Sequence, residues 1–544
     1  MQNQRHLFLA LLAVLVVAPA CADDDQSAAD SGVVSVDANG GDAQLPDPDA
    51  STANVPRSET ALCKFTVPDS LGFTEGAEYE CGDLVVYENR DEPTATIKVH
   101  YIRFHSSSAS NNMTIYLDGG PGGNGNNIVQ YVGFLGQSFL DAITVDGDFM
   151  VISQRGTSLS EPALLCDDPG CSDMPGYHIP SYNTAFNADD VDDLRSTLGF
   201  DKMNLYGISY GSRLGLEVMR RHPDNIRASI IGGLVPAQIN WPAHIPSSFY
   251  SALTGLNASC VAHGGCATAF GDLEAKFISA FDKLNATSLS WDYMGDTITM
   301  DGWTLSSLLF RVMYSKSSYP WLPIVISDMD EGRTDRVGDY LGELFNNFGG
   351  GSNLSTGLYY GVVCNELFNP VDSTAFDVAN AAVPTAIRDM YSYNWYGMLS
   401  TCEDYPLGPE RPTLSQTVTS DVRTFVSSGA LDPITPPAFG DLAAASLTNA
   451  HAVTYANSGH GATLQSACGQ STFLAFLADP SATPDTSCAA SVSTEYVLPA
   501  MSSLFAASLF PVNRAAMRFE LSIAPPLPPM MQALLRKAIQ PKKK

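Results

Sequence analysis

Apolar residues fall into short runs along the chain, and the period of those runs changes with position. Ile97, Val99 and Tyr101 alternate with Lys98 and His100, the two-residue period of a strand, interrupted at Ile102. Four continuous apolar runs follow: Thr114–Leu117, Phe149–Ile152, Met203–Tyr206 and Ala228–Ile231. Each is short and bounded by turn-forming residues, the signature of a strand buried on both faces. Helical patterns lie between them. Asn187–Leu198 carries acidic residues in its first turns, where the helix dipole is positive. Leu214, Val218 and Arg221 recur at helical spacing until His222-Pro223 stops the pattern. Strand alternating with helix predicts an α/β layer fold around a mostly parallel sheet.

The alternation breaks at about residue 235 and resumes at Arg423–Val426. Amphipathic stretches such as Leu273–Leu284 and Leu305–Met313 dominate the interval, so residues 235–415 read as an inserted, mainly helical lid. The expected core is then split into 57–234 and 416–490, with a tail over 491–544. The basic end of that tail, Arg536 to Lys544, reads as a solvated terminus, with a surface-binding tail as the alternative.

The N-terminus changes the picture of where this core works. Arg5 and His6 precede the apolar run Leu7–Val17, too short to span a bilayer, and Ala18-Pro19-Ala20-Cys21 follows. Residues 1–21 therefore read as a signal peptide ending like a lipoprotein box, with Cys21 as the lipidated residue; cleavage nearby that leaves Cys21 free is the alternative. Residues 22–56 are Asp, Ala, Ser and Gly with almost no aromatic residue, an acidic tether that cannot bury enough surface to fold. The expected location is the bacterial cell envelope or the medium. Ten cysteines remain, an even number in an exported chain, and proximity suggests the pairs Cys63–Cys81, Cys166–Cys171, Cys260–Cys266, Cys364–Cys402 and Cys468–Cys488. No CxxC pair occurs and no His stands at ligand spacing from a cysteine pair, so no metal site is expected. With 58 acidic and 29 basic residues the formal net charge is −29, which disfavours nucleic-acid binding.

The chemistry concentrates in the glycine-rich turns. Gly207-Ile208-Ser209-Tyr210-Gly211 follows one apolar run and opens a helical pattern. A serine at the apex of so sharp a strand-to-helix turn is a nucleophile candidate, and its small neighbours keep Cβ atoms out of the turn. Asp118-Gly119-Gly120-Pro121-Gly122-Gly123-Asn124-Gly125 follows another run. Its backbone can approach a substrate closely, which suggests Gly120 and Tyr210 as the N–H donors of an oxyanion hole. A phosphate loop is excluded, because no Gly-Lys-Ser/Thr follows. A base should come later, after an acid. His460 in Asn457-Ser458-Gly459-His460-Gly461 lies after an apolar run and is preferred to His451, which precedes it. Asp432, in Ser428-Gly429-Ala430-Leu431-Asp432-Pro433, lies at the carboxyl end of a strand and is preferred to Asp441. Together they compose a Ser209–His460–Asp432 triad.

Taken with Gln154-Arg155-Gly156-Thr157, Leu431-Asp432-Pro433-Ile434-Thr435-Pro436-Pro437 and Gly459-His460-Gly461, these segments resemble the exported α/β-hydrolase peptidases of the prolyl aminopeptidase and tripeptidyl aminopeptidase (TAP-like) type, over roughly residues 60–490. The resemblance implies the α/β-hydrolase fold and release of amino acids or short peptides from free peptide N-termini through an acyl-enzyme on Ser209. It implies no cofactor and peptides as partners, and leaves the oligomeric state open. It also implies an acidic residue near the lid for the substrate amine, for which Glu366 in Val363-Cys364-Asn365-Glu366 is the candidate; a carboxylate beside a disulfide is the structural alternative. One departure is Ser153, where the family has Asp before Gln-Arg-Gly. An esterase or amidase on the same scaffold, and a non-catalytic tethered binding protein, are the rival readings.

Overall fold

The structure is a computed structural model that describes residues 54–166, 174, 176–348, 354–372, 374–499 and 539–541. The segment read as a signal peptide, Cys21 and all but the end of the segment read as a tether lie outside the described residues. No helix among the described residues is long and apolar enough to cross a membrane.

Nine strands form the central sheet: β1 (Arg57–Thr60), β2 (Tyr79–Tyr87), β3 (Thr96–Phe104), β4 (Met113–Leu117), β5 (Asp148–Ile152), β6 (Met203–Ile208), β7 (Ile226–Gly232), and, after an excursion, β10 (Thr424–Gly429) and β11 (Ala450–Tyr455). Their order is β1-β2-β3-β5-β4-β6-β7-β10-β11. The six from β5 to β11 run parallel, and β1, β2 and β3 add antiparallel at one edge. The continuous apolar runs are what a sheet covered on both sides requires. In β4, Ile115 and Leu117 join one apolar layer and Tyr116 the other; in β5, Met150 and Ile152 oppose Phe149 and Val151.

Between β7 and β10 the chain leaves the sheet for helices such as Ile245–Ala262, Leu273–Ala286, Gly302–Val312 and Thr356–Leu367. The interval also contains a hairpin, β8 (Leu289–Tyr293) and β9 (Asp296–Met300), which the helical reading missed. Its signal was present: Leu289, Trp291 and Tyr293 alternate with polar residues, and Met294-Gly295, both at positive φ, make a two-residue turn. A third strand, β12 (Ile539–Pro541), pairs with β9, so this part of the basic tail is built into a sheet. One apolar layer of the central sheet continues without a break into the inserted region, through Trp241, Phe249, Phe310 and Tyr391.

Four disulfides join Cys63–Cys81, Cys260–Cys266, Cys364–Cys402 and Cys468–Cys488. Cys166 is also disulfide-bonded, while Cys171 lies outside the described residues. Disulfides of this number belong to an oxidising compartment.

Candidate active site

Ser209 stands between β6 and the helix Tyr210–Arg221, at φ 61° and ψ −128°. A side chain held there is strained, and the turn is closed by glycines whose replacement has no room. A Cβ on Gly207 would lie 2.3 Å from the carbonyl oxygen of Gly211, and one on Gly211 would lie 1.9 Å from that of Leu117. The first N–H groups of the helix have no partner within it, so the Tyr210 N–H is available beside the serine.

The loop after β4 supplies the facing wall. Asp118 is buried and accepts from the N–H groups of Gly119 (2.9 Å) and Gly125 (2.8 Å) and from the Tyr116 hydroxyl. Burial pushes its carboxyl above the usual range, and those hydrogen bonds offset part of the push. Gln154 donates its amide to the Asp118 carbonyl (2.9 Å). Gly119 passes so close that a Cβ on it would stand 3.0 Å from the Cβ of Ser209. Because the Gly119 N–H is already donated to Asp118, the free N–H next in line is that of Gly120. Ser153 makes no compensating ion pair; its hydroxyl is bonded to Thr157 at 2.6 Å.

His460 lies on the opposite side. The Ser209 N–H donates to the Gly232 carbonyl (3.0 Å), and the next residue, Gly233, underlies the imidazole: a Cβ there would stand 2.9 Å from Cε1. His460 Nδ1 is 2.8 Å from Asp432 Oδ2. The other carboxylate oxygen accepts from the N–H groups of Ile434 (3.0 Å) and Thr435 (2.9 Å). Thr435 also donates its hydroxyl to Asp432 Oδ2 (2.6 Å), with His460 Nδ1 3.0 Å away. The loop is fixed from behind by Gln465, which accepts from the Gly459 N–H and donates to the carbonyls of His460 and Tyr314. The Tyr314 ring, from the inserted region, packs on the imidazole at 5.0 Å. With Nδ1 engaged by the acid, the buried Nε2 has no hydrogen-bond partner among the described residues. That is the atom a general base uses.

The structure therefore pairs His460 with Asp432 and places Ser209 across Gly232-Gly233 from that pair, with Gly119, the neighbour of Gly120, against Ser209 and Tyr210 next to it in the chain; Ser209 and His460 Nε2 are not hydrogen-bonded to each other. His451 sits on β11, paired in register with Phe425, and Asp441 is exposed on the helix Pro437–Ala444. Glu366 lies within the insertion, away from open solvent. It is only 6 % exposed, and its carboxylate is taken internally: Oε1 accepts from the Thr184 N–H (2.8 Å), and Oε2 faces Arg213 Nε at 3.4 Å. An incoming ammonium would have to compete with both partners. The supporting roles of Thr435, Asp118, Gln465 and Tyr314 were not read from the sequence; that of Tyr314 depends on contact across the insertion, while those of Asp118 and Gln465 come from side chains folding back on their own loops. Thr435 had a local signal, a hydroxyl three residues after Asp432. A convergence of Cys63, Cys81 and His100 offers no metal site, since the sulfurs are bonded to each other and His100 is held by Asp83 and the Lys64 N–H. Beside Gln465 opens a cleft of about 420 Å³, lined among others by Tyr131, Lys316 and Trp321.

Comparison with known proteins gives two family matches, "alpha/beta hydrolase fold" over residues 115–253 and "TAP-like protein" over residues 388–488. The serine protease Hip1 of Mycobacterium tuberculosis is 25 % identical over 240 residues, covering 38 % of this chain and 45 % of that protein. The tripeptidyl aminopeptidase of Streptomyces lividans is 29 % identical over 153 residues, covering 22 % of this chain and 28 % of that protein. The matched part thus spans less than half the length of either relative. Among solved structures, an α/β-hydrolase fold protein from Chitinophaga pinensis aligns over 73 % of this chain and 97 % of its own, at 13 % identity and a TM-score of 0.33.

Proposed function

From the premise that this chain has the α/β-hydrolase fold and resembles the TAP-like serine peptidases, we propose that it hydrolyses peptides from their free N-termini through an acyl-enzyme on Ser209. One observation carries the reading: a serine held in a strained turn, across Gly232-Gly233 from a buried histidine whose Nδ1 is fixed by a buried aspartate and whose Nε2 is unengaged among the described residues.

In this mechanism Ser209 Oγ attacks the scissile carbonyl while His460 Nε2 takes its proton. Asp432 stabilises the imidazolium and keeps the ring in register. The N–H groups of Gly120 and Tyr210 receive the oxyanion. His460 then returns the proton to the departing amine, the remaining peptide leaves, and water activated by His460 releases the acyl group. The names of the relatives support an aminopeptidase of the tripeptidyl kind over a simple esterase. The disulfides support a location outside the cytoplasm, with Cys21 as the proposed lipid anchor.

Fluorogenic amides offered in pairs, each with a free N-terminus (proline, alanine, a tripeptide) or the same terminus acetylated, test the reading. Hydrolysis confined to the free-amine members, and absent from Ser209→Ala, is the expected result. Equal turnover of both members, or turnover of esters alone, would replace it with the esterase reading.

A further inference from the structure

Arg213 lies one turn into the helix that begins after Ser209, and it is buried. Its Nη1 donates to the carbonyls of Pro236 (3.2 Å) and Ala237 (2.8 Å), where the chain leaves the sheet for the inserted region. Its Nη2 donates to the carbonyl of Leu414 (2.8 Å), where the chain comes back. Its Nε faces Glu366, near the end of the inserted helix Thr356–Leu367. One guanidinium thus holds both crossings of the insertion and one of its helices. Carbonyls in irregular buried loops need such a donor, and only the planar five-donor fork of arginine reaches several in different directions.

The far end of the same inserted helix is also fixed. The Ser355 N–H donates to the Gly122 carbonyl in the oxyanion loop (3.0 Å), and its hydroxyl donates to the Gly156 carbonyl (2.6 Å). Leu354 packs directly on Gly120 and Gly122. From Glu366 the connection returns to the catalytic turn: Oε1 holds the N–H of Thr184, and the Thr184 hydroxyl meets the Tyr210 hydroxyl at 3.0 Å. The helix Thr356–Leu367 is therefore pinned at one end to the oxyanion loop and at the other to the nucleophile's helix.

We infer that the Arg213–Glu366 pair is a latch that seats the inserted lid on the catalytic core, and that Arg213 is a positioning residue for the substrate cavity and not for the nucleophile. Unlatching at Arg213 leaves Ser209 and Asp432 on the turns after β6 and β10, and Tyr314, the insertion residue that packs on His460, lies outside the segments Arg213 holds; what loosens is the part of the insertion against which an extended substrate is held. A small reagent that needs only Ser209, His460 and the oxyanion donors is indifferent to the latch. A tripeptide substrate is not.

The inference rests on the peptidase reading only for its choice of substrate, and the test separates the two. Arg213→Lys keeps the charge but cannot span the three carbonyls. Glu366→Gln keeps an acceptor for Thr184 and removes the charge facing Arg213, which makes it the variant to use where the lysine protein does not fold. Three quantities are compared with wild type: amide hydrogen exchange by segment, the rate of Ser209 labelling by a small fluorophosphonate, and the kinetics on a tripeptidyl amide. In Arg213→Lys, exchange in 236–241, 357–367 and 412–416 is expected to rise by about tenfold while β4–β6 are unchanged. Labelling is expected to stay within about threefold of wild type, and kcat/KM on the tripeptidyl amide to fall about tenfold, mainly through KM. Glu366→Gln changes the same quantities in the same direction by less. Unchanged exchange in the three segments overturns the latch. So does a fall in labelling equal to the fall in amide hydrolysis, which would assign Arg213 to the nucleophile. If the wild-type protein labels at Ser209 but cleaves no peptide amide, the peptidase reading fails, and exchange with labelling still decides the latch.

Discussion

At the scale of single residues, the candidate site depends on groups that hold other groups. Thr435 is the clearest: its hydroxyl completes the set of donors around Asp432, which has no other side-chain hydroxyl on Oδ2. A buried hydrogen bond to a charged group contributes about 1.5–3 kcal/mol. Thr435→Val is therefore expected to lower kcat roughly 10- to 100-fold at unchanged KM, while Thr435→Ser retains most of the rate. Equal rates in threonine and valine proteins would remove Thr435 from the catalytic arrangement. A second residue-scale prediction concerns acid stability. Burial opposes ionisation of Asp189, but hydrogen bonds from His222 and Arg221 outweigh it and hold the carboxyl well below its ordinary range. A depressed pKa stabilises the fold at every pH above the ordinary carboxylate range, and that contribution is lost as pH falls below about 4 toward the folded-state pKa. Asp189→Asn should lower the Tm at pH 7 and flatten its fall below pH 4, as followed by thermal melts across pH. Ser209, Asp432 and His460 stand out as candidates in the sequence because each lies in or just after a glycine-containing turn that follows an apolar run. The partner of Glu366 was not legible, because nothing local announces a contact with Arg213, a residue 153 positions away.

At the scale of elements, the strands that carry the site were legible because full burial leaves a continuous apolar signature. Strands β1 and β2 were not: β1 is half-exposed, and β2 carries Glu80, Gly82 and Asp83 among its apolar positions. The hairpin β8–β9 was hidden by its helical surroundings. Between elements, buried ion pairs replace apolar contact. Arg155 is fully buried and bonded through Nε and Nη2 to both oxygens of Asp190 (2.7 Å each) on the helix Thr184–Thr197, and it also donates to carbonyls of Glu88 and Ser181. Removing one member leaves the other charge buried without compensation, at about 3–5 kcal/mol. Asp190→Ala is expected to lose that much stability in urea unfolding; a loss under 1 kcal/mol would show that water or a neighbour reaches Arg155. The disulfide Cys364–Cys402 joins two helices of the insertion and closes a loop of 38 residues. Replacing both cysteines by serine is expected to cost about 3–4 kcal/mol on loop-entropy grounds, read from the shift of the unfolding midpoint under non-reducing conditions.

At the scale of the whole molecule, the insertion and the core are not separate bodies. One apolar layer runs from the sheet through Trp241 and Phe249 into the insertion, and Arg213 ties down both connecting segments. Sequence reading caught the insertion because strand–helix alternation stops there. It could not see the shared core, which depends on which helix faces fold back on the sheet. The same limit applied to the tail, where a basic run read as solvated contributes β12. The excess of acidic residues acts on the molecule as a whole through self-repulsion, without choosing a fold. The central claim, that Ser209 is the nucleophile served by His460, is met most directly by mapping a fluorophosphonate adduct by peptide mass spectrometry in wild type, Ser209→Ala and His460→Ala proteins. The account predicts a single adduct on the peptide containing Ser209, absent from the alanine protein and strongly slowed without His460. An adduct on another serine, or undiminished peptide hydrolysis by Ser209→Ala, would contradict it.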